Sequence, residues 1–325
     1  MVRYIGTRFV RMVSVVFAVS FGTFYLLNLL PGSPVNAILG IGGTAAARKQ
    51  LTDQLGLNHP IYLRYFYWLS HALQGNLGQS YVSDQSVTVT IAKHLPLTLE
   101  LMLEAEIISL ALAIPLALIC AFKPNGWFDK MVSRISLGLL ALPAFVLGPA
   151  LVFLLCIKVH LFPAGGYVQW FQWGSPQSPA IVATPWSIFL PSFILAMGQL
   201  AIFVRVLRGD LVATLKSEFI TMARSKGLST RRILVAHALR PSSFTLLSVV
   251  GLSIGGLLAG ALIVETIFAL PGMASLLVTS IEKRDYLMVQ GTVLLTSTGF
   301  VLVNFITDFL FGVLDPRVRR GSTLN

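Results

Sequence analysis

Leu97-Thr-Leu-Glu-Leu-Met-Leu-Glu-Ala-Glu-Ile-Ile-Ser-Leu-Ala-Leu-Ala-Ile-Pro-Leu-Ala-Leu-Ile-Cys-Ala-Phe122 is the stretch that decides the fold class. A helix rising about 1.5 Å per residue needs about 20 apolar residues to cross the roughly 30 Å of hydrocarbon in a bilayer, and this run is long enough. Five more segments meet the same test: Phe9 to Leu30, Met131 to Val159, Pro185 to Leu207, Phe244 to Leu270 and Leu287 to Leu314. The whole chain agrees with them. It has 325 residues, 55% of them hydrophobic and 11% charged, with a mean hydropathy of +0.78. So little polar material cannot cover a soluble domain of that length. The expectation is an all-α integral membrane protein with about six transmembrane helices.

The net charge of +11 raises the question of nucleic acid, but the basic residues fall between the apolar runs rather than along one soluble face, so no nucleic-acid partner is expected. Their distribution instead reports topology, because cytoplasmic loops are enriched in Lys and Arg. With the N-terminus in the cytoplasm, the inner segments carry 17 of the 24 basic residues and the outer segments 7. An even number of spans then places both termini in the cytoplasm. The first span is read as a retained helix rather than a cleaved secretory signal, since its apolar run is long and Pro31-Gly-Ser-Pro34 offers no small-x-small site.

The sequence divides into residues 1–30, the N-terminal segment and first span; residues 31–96, an extracytoplasmic region; and residues 97–325, a five-span core containing a cytoplasmic loop over 208–243. In the outer region, Thr44 suits the N-cap of a helix closing at Gly56, and Pro60 the start of a second helix closing at Gly75. The second helix carries Tyr62, Tyr65, Phe66, Tyr67 and Trp68. It either lies in the membrane interface, where amphipathic aromatics are favoured, or packs on the outer ends of the spans. In the cytoplasmic loop, Leu211, Leu215, Phe219 and Met222 recur at steps of four, four and three, which predicts one apolar stripe on a short helix. Gly227 is placed to end that helix by taking a positive φ, and Ser229 to open the next one, through Ile233, Leu234 and His237. On pattern alone this element could also rest on the anionic inner leaflet.

Chemistry-bearing patterns are otherwise sparse. Cys120 and Cys156 lie inside apolar runs and read as small buried hydrophobes. The five histidines show no ligand spacing, and neither a Walker A loop nor a His-Glu-x-x-His motif occurs. No catalytic, cofactor or metal residue is therefore assigned. Ionisable groups inside spans are functional suspects because lipid makes them costly. Glu104, Glu106, Glu265 and Asp308 are such groups; Glu104, Glu265 and Asp308 are the candidates for lining a pathway, Glu104 foremost as the deepest from its helix end. Gly251, Gly255, Gly256 and Gly260 form small-xxx-small steps suited to close packing against another span or a partner subunit.

The segment Glu218-Phe-Ile-Thr-Met-Ala-Arg-Ser-Lys-Gly-Leu-Ser-Thr-Arg-Arg-Ile-Leu-Val-Ala-His-Ala-Leu-Arg240 resembles the cytoplasmic signature loop of ABC importer permeases, whose general form is Glu-Ala-Ala, three residues, then Gly. The resemblance narrows to the first permease subunit of the dipeptide and oligopeptide family and runs along almost the whole chain. It is carried by Leu55-Gly-Leu-Asn-His-Pro60, Gly75-Asn-Leu-Gly-Gln-Ser80, Leu95-Pro-Leu-Thr-Leu-Glu100, Phe162-Pro-Ala-Gly-Gly-Tyr167, Val264-Glu-Thr-Ile-Phe-Ala-Leu-Pro-Gly272, Arg284-Asp-Tyr286 and Leu314-Asp-Pro-Arg317. Two departures stand out. Thr221-Met222-Ala223 replaces Glu-Ala-Ala, and Pro241 follows Arg240 at once while Thr245 occupies the later site where proline is expected. The resemblance implies a type I ABC importer permease in a bacterial inner membrane. It implies a coupling helix near Val212 to Ser225 that docks on a cytoplasmic ATPase through Leu215, Glu218, Phe219, Thr221, Met222 and Ala223, with Gly227 setting the elbow. It implies as partners a second homologous permease, two ATPase units that bind ATP and Mg, an extracytoplasmic peptide-binding protein and the surrounding lipid. The cargo implied is a di- or oligopeptide, with nickel, glutathione or glycosides as the alternatives; a self-sufficient secondary transporter is the rival from another class.

Overall fold

The computed structural model describes residues 2–29, 35, 39, 44–54, 58–163 and 184–314. Its helices, in chain order, are α1 (Val2–Leu29), α2 (Ala45–Gln54), α3 (Ile61–Ala72), α4 (Val87–Phe122), α5 (Trp127–Ala141), α6 (Ala144–Lys158), α7 (Thr184–Thr214), α8 (Glu218–Ser225), α9 (Thr230–Ile267), α10 (Met273–Glu282) and α11 (Tyr286–Leu314). No strand occurs among the described residues; one isolated antiparallel bridge joins Gln79 and Ser86. Helices α1, α4, α7, α9 and α11 are each long and apolar enough to cross a membrane, and the pair α5 and α6 brings the number to six if it counts as one span.

The third expected span, Met131 to Val159, is not one helix. Helices α5 and α6 meet at 105°. The break lies at Leu142, with φ −92° and ψ 112°, and Pro143, with φ −63° and ψ 145°. Proline has no N–H to give to the helix, and its ring pushes the preceding residue out of the α region, so the dipeptide ends α5 and restarts the chain in a new direction. Pro149 then sits inside α6, whose last turns, Val152–Lys158, are wound as a π-helix. Other boundaries also move. Helix α4 starts at Val87 rather than near Leu97, and α7 continues past Leu207 to Thr214. Helix α9 starts at Thr230, well before Phe244, and ends at Ile267. Its course into the membrane is continuous despite Pro241. A π-wound stretch over Ile233–Ala238 lies one turn before the proline and relieves the crowding of its ring against the carbonyls behind it.

The chain forms two compact units. The first contains Met1–Thr98 and Pro271–Phe305. Thr44 Oγ1 caps α2 by accepting from Ala47 N at 3.2 Å; the expected stop at Gly56 falls outside the described residues. Helix α3 packs on α1 through Tyr65 and Trp68. The Tyr65 ring meets Phe17, Phe21 and Phe24 edge-on, and its hydroxyl shares a 2.7 Å hydrogen bond with Ser20. Trp68 Nε1 donates to Leu77 O at 3.4 Å. Tyr62, Phe66 and Tyr67 remain exposed on the other side of α3. The packing reading of this helix therefore holds for its Tyr65 and Trp68 face. Gln290 Nε2 donates to Ser20 O at 2.8 Å, Met273 N to Thr98 Oγ1 at 2.8 Å, and the Ser80 hydroxyl to Asp285.

The second unit contains Leu99–Leu270 and Ile306–Asn325. Its core joins α4, α5, α7, α8 and α9 around Ala117, Val132, Phe203, Leu207, Leu211, Ile220, Ile233 and Leu246. Glycines in α9 serve packing within this chain. A Cβ on Gly251 would stand 1.9 Å from Thr307 Cγ2 and 2.8 Å from Thr307 Cβ of α11, an approach that glycine permits; one on Gly260 would stand 2.5 Å from Leu195 Cδ1 of α7, the end of a flexible side chain that would have to shift.

Candidate functional site

The elbow between α7 and α9 is built in three steps. Helix α7 stops at Thr214, whose carbonyl accepts from Ser217 N at 3.0 Å and Ser217 Oγ at 2.6 Å. The Thr214 hydroxyl reaches Ser242 Oγ at 3.1 Å and ties the end of α7 to α9. Ser217, extended at φ −73° and ψ 154°, then starts α8, and its carbonyl accepts from Ile220 N and Thr221 N at 3.2 Å each. Helix α8 closes in a Schellman arrangement: Leu228 N donates to Ala223 O at 3.3 Å and Gly227 N to Arg224 O at 2.9 Å, with Gly227 at φ +76°. Leu228 packs against the same core as Ala223, the apolar contact that accompanies this motif.

This geometry corrects the predicted stripe. Leu211 belongs to α7 and is fully buried, Leu215 sits in the linker, and the short helix spans Glu218–Ser225 rather than Val212 to Ser225. Within α8, Ile220 and Ala223 turn into the core, whereas Phe219 and Met222 are 46% and 57% exposed. The linker bends the chain between Leu215 and Phe219, which breaks the register that a single continuous helix would have kept. Glu218 and Thr221 are exposed with Phe219 and Met222; Ala223 faces the other way. The large apolar side chains that α8 leaves exposed are therefore Phe219 and Met222.

Gly227 gives a direct check on the elbow. Nothing lies within 4 Å of a Cβ built there, so a substitution is penalised only by its positive φ. Gly227→Ala is expected to cost about 1 kcal/mol and Gly227→Asn less, since asparagine tolerates the left-handed region. Hydrogen exchange of the α8 amides reads this as opening roughly fivefold faster in the alanine variant, with asparagine in between.

The structure separates the membrane carboxylates. Glu104 Oε2 accepts from Ser192 Oγ of α7 at 2.8 Å. Glu106 has Ser253 Oγ of α9 at 3.3 Å from its Oε2. Two positions on α4 differ by roughly 200° in direction, which is why the neighbouring acids meet different helices. Glu265 is wholly buried in α9, and the side chain of Asp308 lies outside the described residues. Glu104 and Glu106 are thus held by different helices, α7 and α9.

A pair that pattern reading missed lies at the same end of α7 as the elbow. Arg208 Nε and Nη2 grip the Asp129 carboxylate at 2.5 and 2.6 Å, and Asn125 N donates to Asp129 Oδ2 at 2.7 Å. A fork of this kind is strong and directional. It fastens the turn between α4 and α5 to α7 just before α8. The partners are 79 residues apart, so no local periodicity links them.

Residues 113–320 match the family described as the inner membrane component of binding-protein-dependent transport systems, and residues 1–102 match the family described as the N-terminal part of such a membrane component. The chain belongs to this permease family. Among its relatives, a nickel import system permease protein of Staphylococcus aureus (strain USA300) is 31% identical over 315 residues, covering 96% of this chain and 90% of the relative. A protein of Brucella abortus (strain 2308), provisionally named as a peptide transport system permease, is 34% identical over 314 residues, covering 96% and 97%. The protein is accordingly a multi-pass ABC importer permease of the type that includes peptide and nickel systems, working with partner subunits rather than alone. The elbow around α8 lies in the segment that resembles the family's signature loop.

Proposed function

We propose that this permease is one of two homologous membrane subunits of an ATP-driven importer of di- or oligopeptides in a bacterial inner membrane. Both its termini are cytoplasmic in this reading, the bent pair α5 and α6 counts as one crossing, and Glu104 lines the pathway. Two ATPase units bind ATP and Mg and carry out hydrolysis, while an extracytoplasmic binding protein delivers the peptide. The observation that carries this reading is the exposed pair Phe219 and Met222 on a short helix whose opposite face, Ile220 and Ala223, is anchored in the core. Two large apolar side chains held outward by a capped helix form a compact knob for a cleft in a partner. Because Ile220 joins α8 to the core that also holds α7 and α9, motion of an attached ATPase is passed to those spans as a displacement of packed bodies.

The cargo is favoured as peptide by the resemblance along the chain and by the identity to the Brucella protein; the Staphylococcus relative keeps nickel as the second reading. Uptake of labelled di-, tri- and longer peptides, with nickel and glutathione alongside, in cells with and without this chain tests it. Loss of peptide uptake alone is expected. Intact peptide uptake with loss of nickel would replace the cargo and leave the coupling reading in place.

A further inference from the structure

The unit formed by Met1–Thr98 and Pro271–Phe305 holds a cavity of about 540 Å³ between the C-terminal end of α1, helix α3 and the loop that follows it. Its apolar walls are Phe24 and Trp68 with Tyr67 beside them, and its polar groups are Arg64, His71 and Tyr81, joined by His59 and Asn76. Among the described residues, no Asp or Glu lines it. Arg64 is the decisive residue. Its Nη1 donates to Asn28 Oδ1 at 3.0 Å, and its guanidinium carbon sits 5.8 Å from the centre of the Phe24 ring. Asn28 is itself held by donation from Nδ2 to Phe24 O at 2.7 Å, so the guanidinium has a fixed seat. Among the described residues its partners are neutral, and most of the five N–H donors of the group remain for another acceptor.

The surroundings define what that acceptor is. Burial lowers the pKa of Arg64, the mark of a desolvated cation that an anion would stabilise. Burial likewise, and more than any neighbouring charge, raises the phenol of Tyr81, which stays a neutral O–H donor at pH 7. His71 engages the carbonyl of Tyr67 through Nδ1 at 2.8 Å, which sets its ring at the cavity wall. Asp285, whose charge also raises the Tyr81 phenol, accepts from the Ser80 hydroxyl and is not in the lining, so a fixed guanidinium with a phenol and imidazoles around it is a receptor for an oxyanion. The rest of the wall is apolar and is built on a span: Phe24 belongs to α1, with Trp68 of α3 and Leu287 of α11 completing it. Such a surface suits acyl chains and interfacial aromatics rather than water.

We propose that this cavity binds the phosphate of an anionic membrane phospholipid, with Arg64 pairing the phosphodiester, Tyr81 and His71 completing the polar wall, and the acyl chains lying along α1. Lacking a carboxylate for a cationic headgroup, the site is selective for phosphatidylglycerol over phosphatidylcholine. The test is native mass spectrometry of the permease purified in its assembled complex, titrated with short-chain phosphatidylglycerol, phosphatidylcholine and, separately, dialanine. The wild type is expected to bind phosphatidylglycerol most tightly. Arg64→Gln should weaken that binding about tenfold or more, Arg64→Lys should retain part of it, and His71→Gln should weaken it less. Thermal melting of each variant separates lost binding from lost folding, and Arg64→Lys keeps the test valid if Arg64→Gln fails to assemble. Equal binding of both lipids, or lipid binding indifferent to Arg64, overturns the proposal. Arg64-dependent binding of dialanine without lipid overturns it too, and would mark the cavity as a carboxylate site for cargo.

Discussion

Phe219→Asp and Met222→Asp are each expected to abolish substrate uptake while the protein remains inserted at normal levels. Both side chains are exposed on α8 and neither contributes to the buried core, so the fold does not depend on them. Docking does, in the proposed function. Burying a Phe or Met side chain at an interface is worth about 1.5–3 kcal/mol, and placing a carboxylate there adds a desolvation penalty of similar or larger size. Together they weaken the ATPase contact by roughly a hundredfold or more. Ile220→Asp provides the contrast, because it puts a charge into the core and should lower the amount of folded protein. Uptake, membrane abundance and the amount of ATPase copurified with each variant measure the three effects. Normal uptake by both surface variants would place the docking surface elsewhere.

The second large effect is expected at the Asp129 and Arg208 pair. Asp129→Ala removes the carboxylate that receives both guanidinium nitrogens and the Asn125 N–H, leaving those donors without it. Breaking a buried pair on one side costs about 3–5 kcal/mol; the Arg208 side chain is 26% exposed here, so about 2–3 kcal/mol is the better expectation. The same fork connects the turn before α5 to α7 close to the elbow, so transport should fall more than abundance does. Exchanging the two residues, Asp129→Arg with Arg208→Asp, should recover part of the stability, though the Asn125 N–H loses its acceptor. Thermal melting of the purified complex and uptake per inserted protein distinguish these outcomes. If the single variant melts and transports like the wild type, the pair is a surface ornament.

Much of the organisation was legible in sequence because it depends on local composition. Runs such as Leu97 to Phe122 exceed the length lipid demands wherever they sit; α4, α7 and α11 contain the segments expected of them, and α9 contains its segment as far as Ile267. Thr44 and Gly227 also behaved as read, since a cap and a positive φ are properties of a few adjacent residues. The bend at Leu142 and Pro143 had its signal in the proline, but apolar length outweighed it, and length says nothing about direction. The coupling stripe failed for a related reason: a step of four is meaningful only if one helix is continuous, and the linker after Thr214 interrupts it.

What the sequence by itself determined is therefore the solvent in which this protein lives, the approximate number of its crossings, the place of its elbow and, through accumulated motifs, its family. The tertiary structure decided which faces of those helices meet. It turned Ile220 inward and Phe219 and Met222 outward, sent Glu104 to Ser192 and Glu106 toward Ser253, joined Arg208 to Asp129, and seated Arg64 above Phe24 with Asn28 as its acceptor. Hydropathy and capping act over a few neighbouring residues and can be read along the chain. Facing and pairing arise only when segments far apart in sequence compete for the same packed space, and in spans that are apolar all round no periodicity announces which side wins.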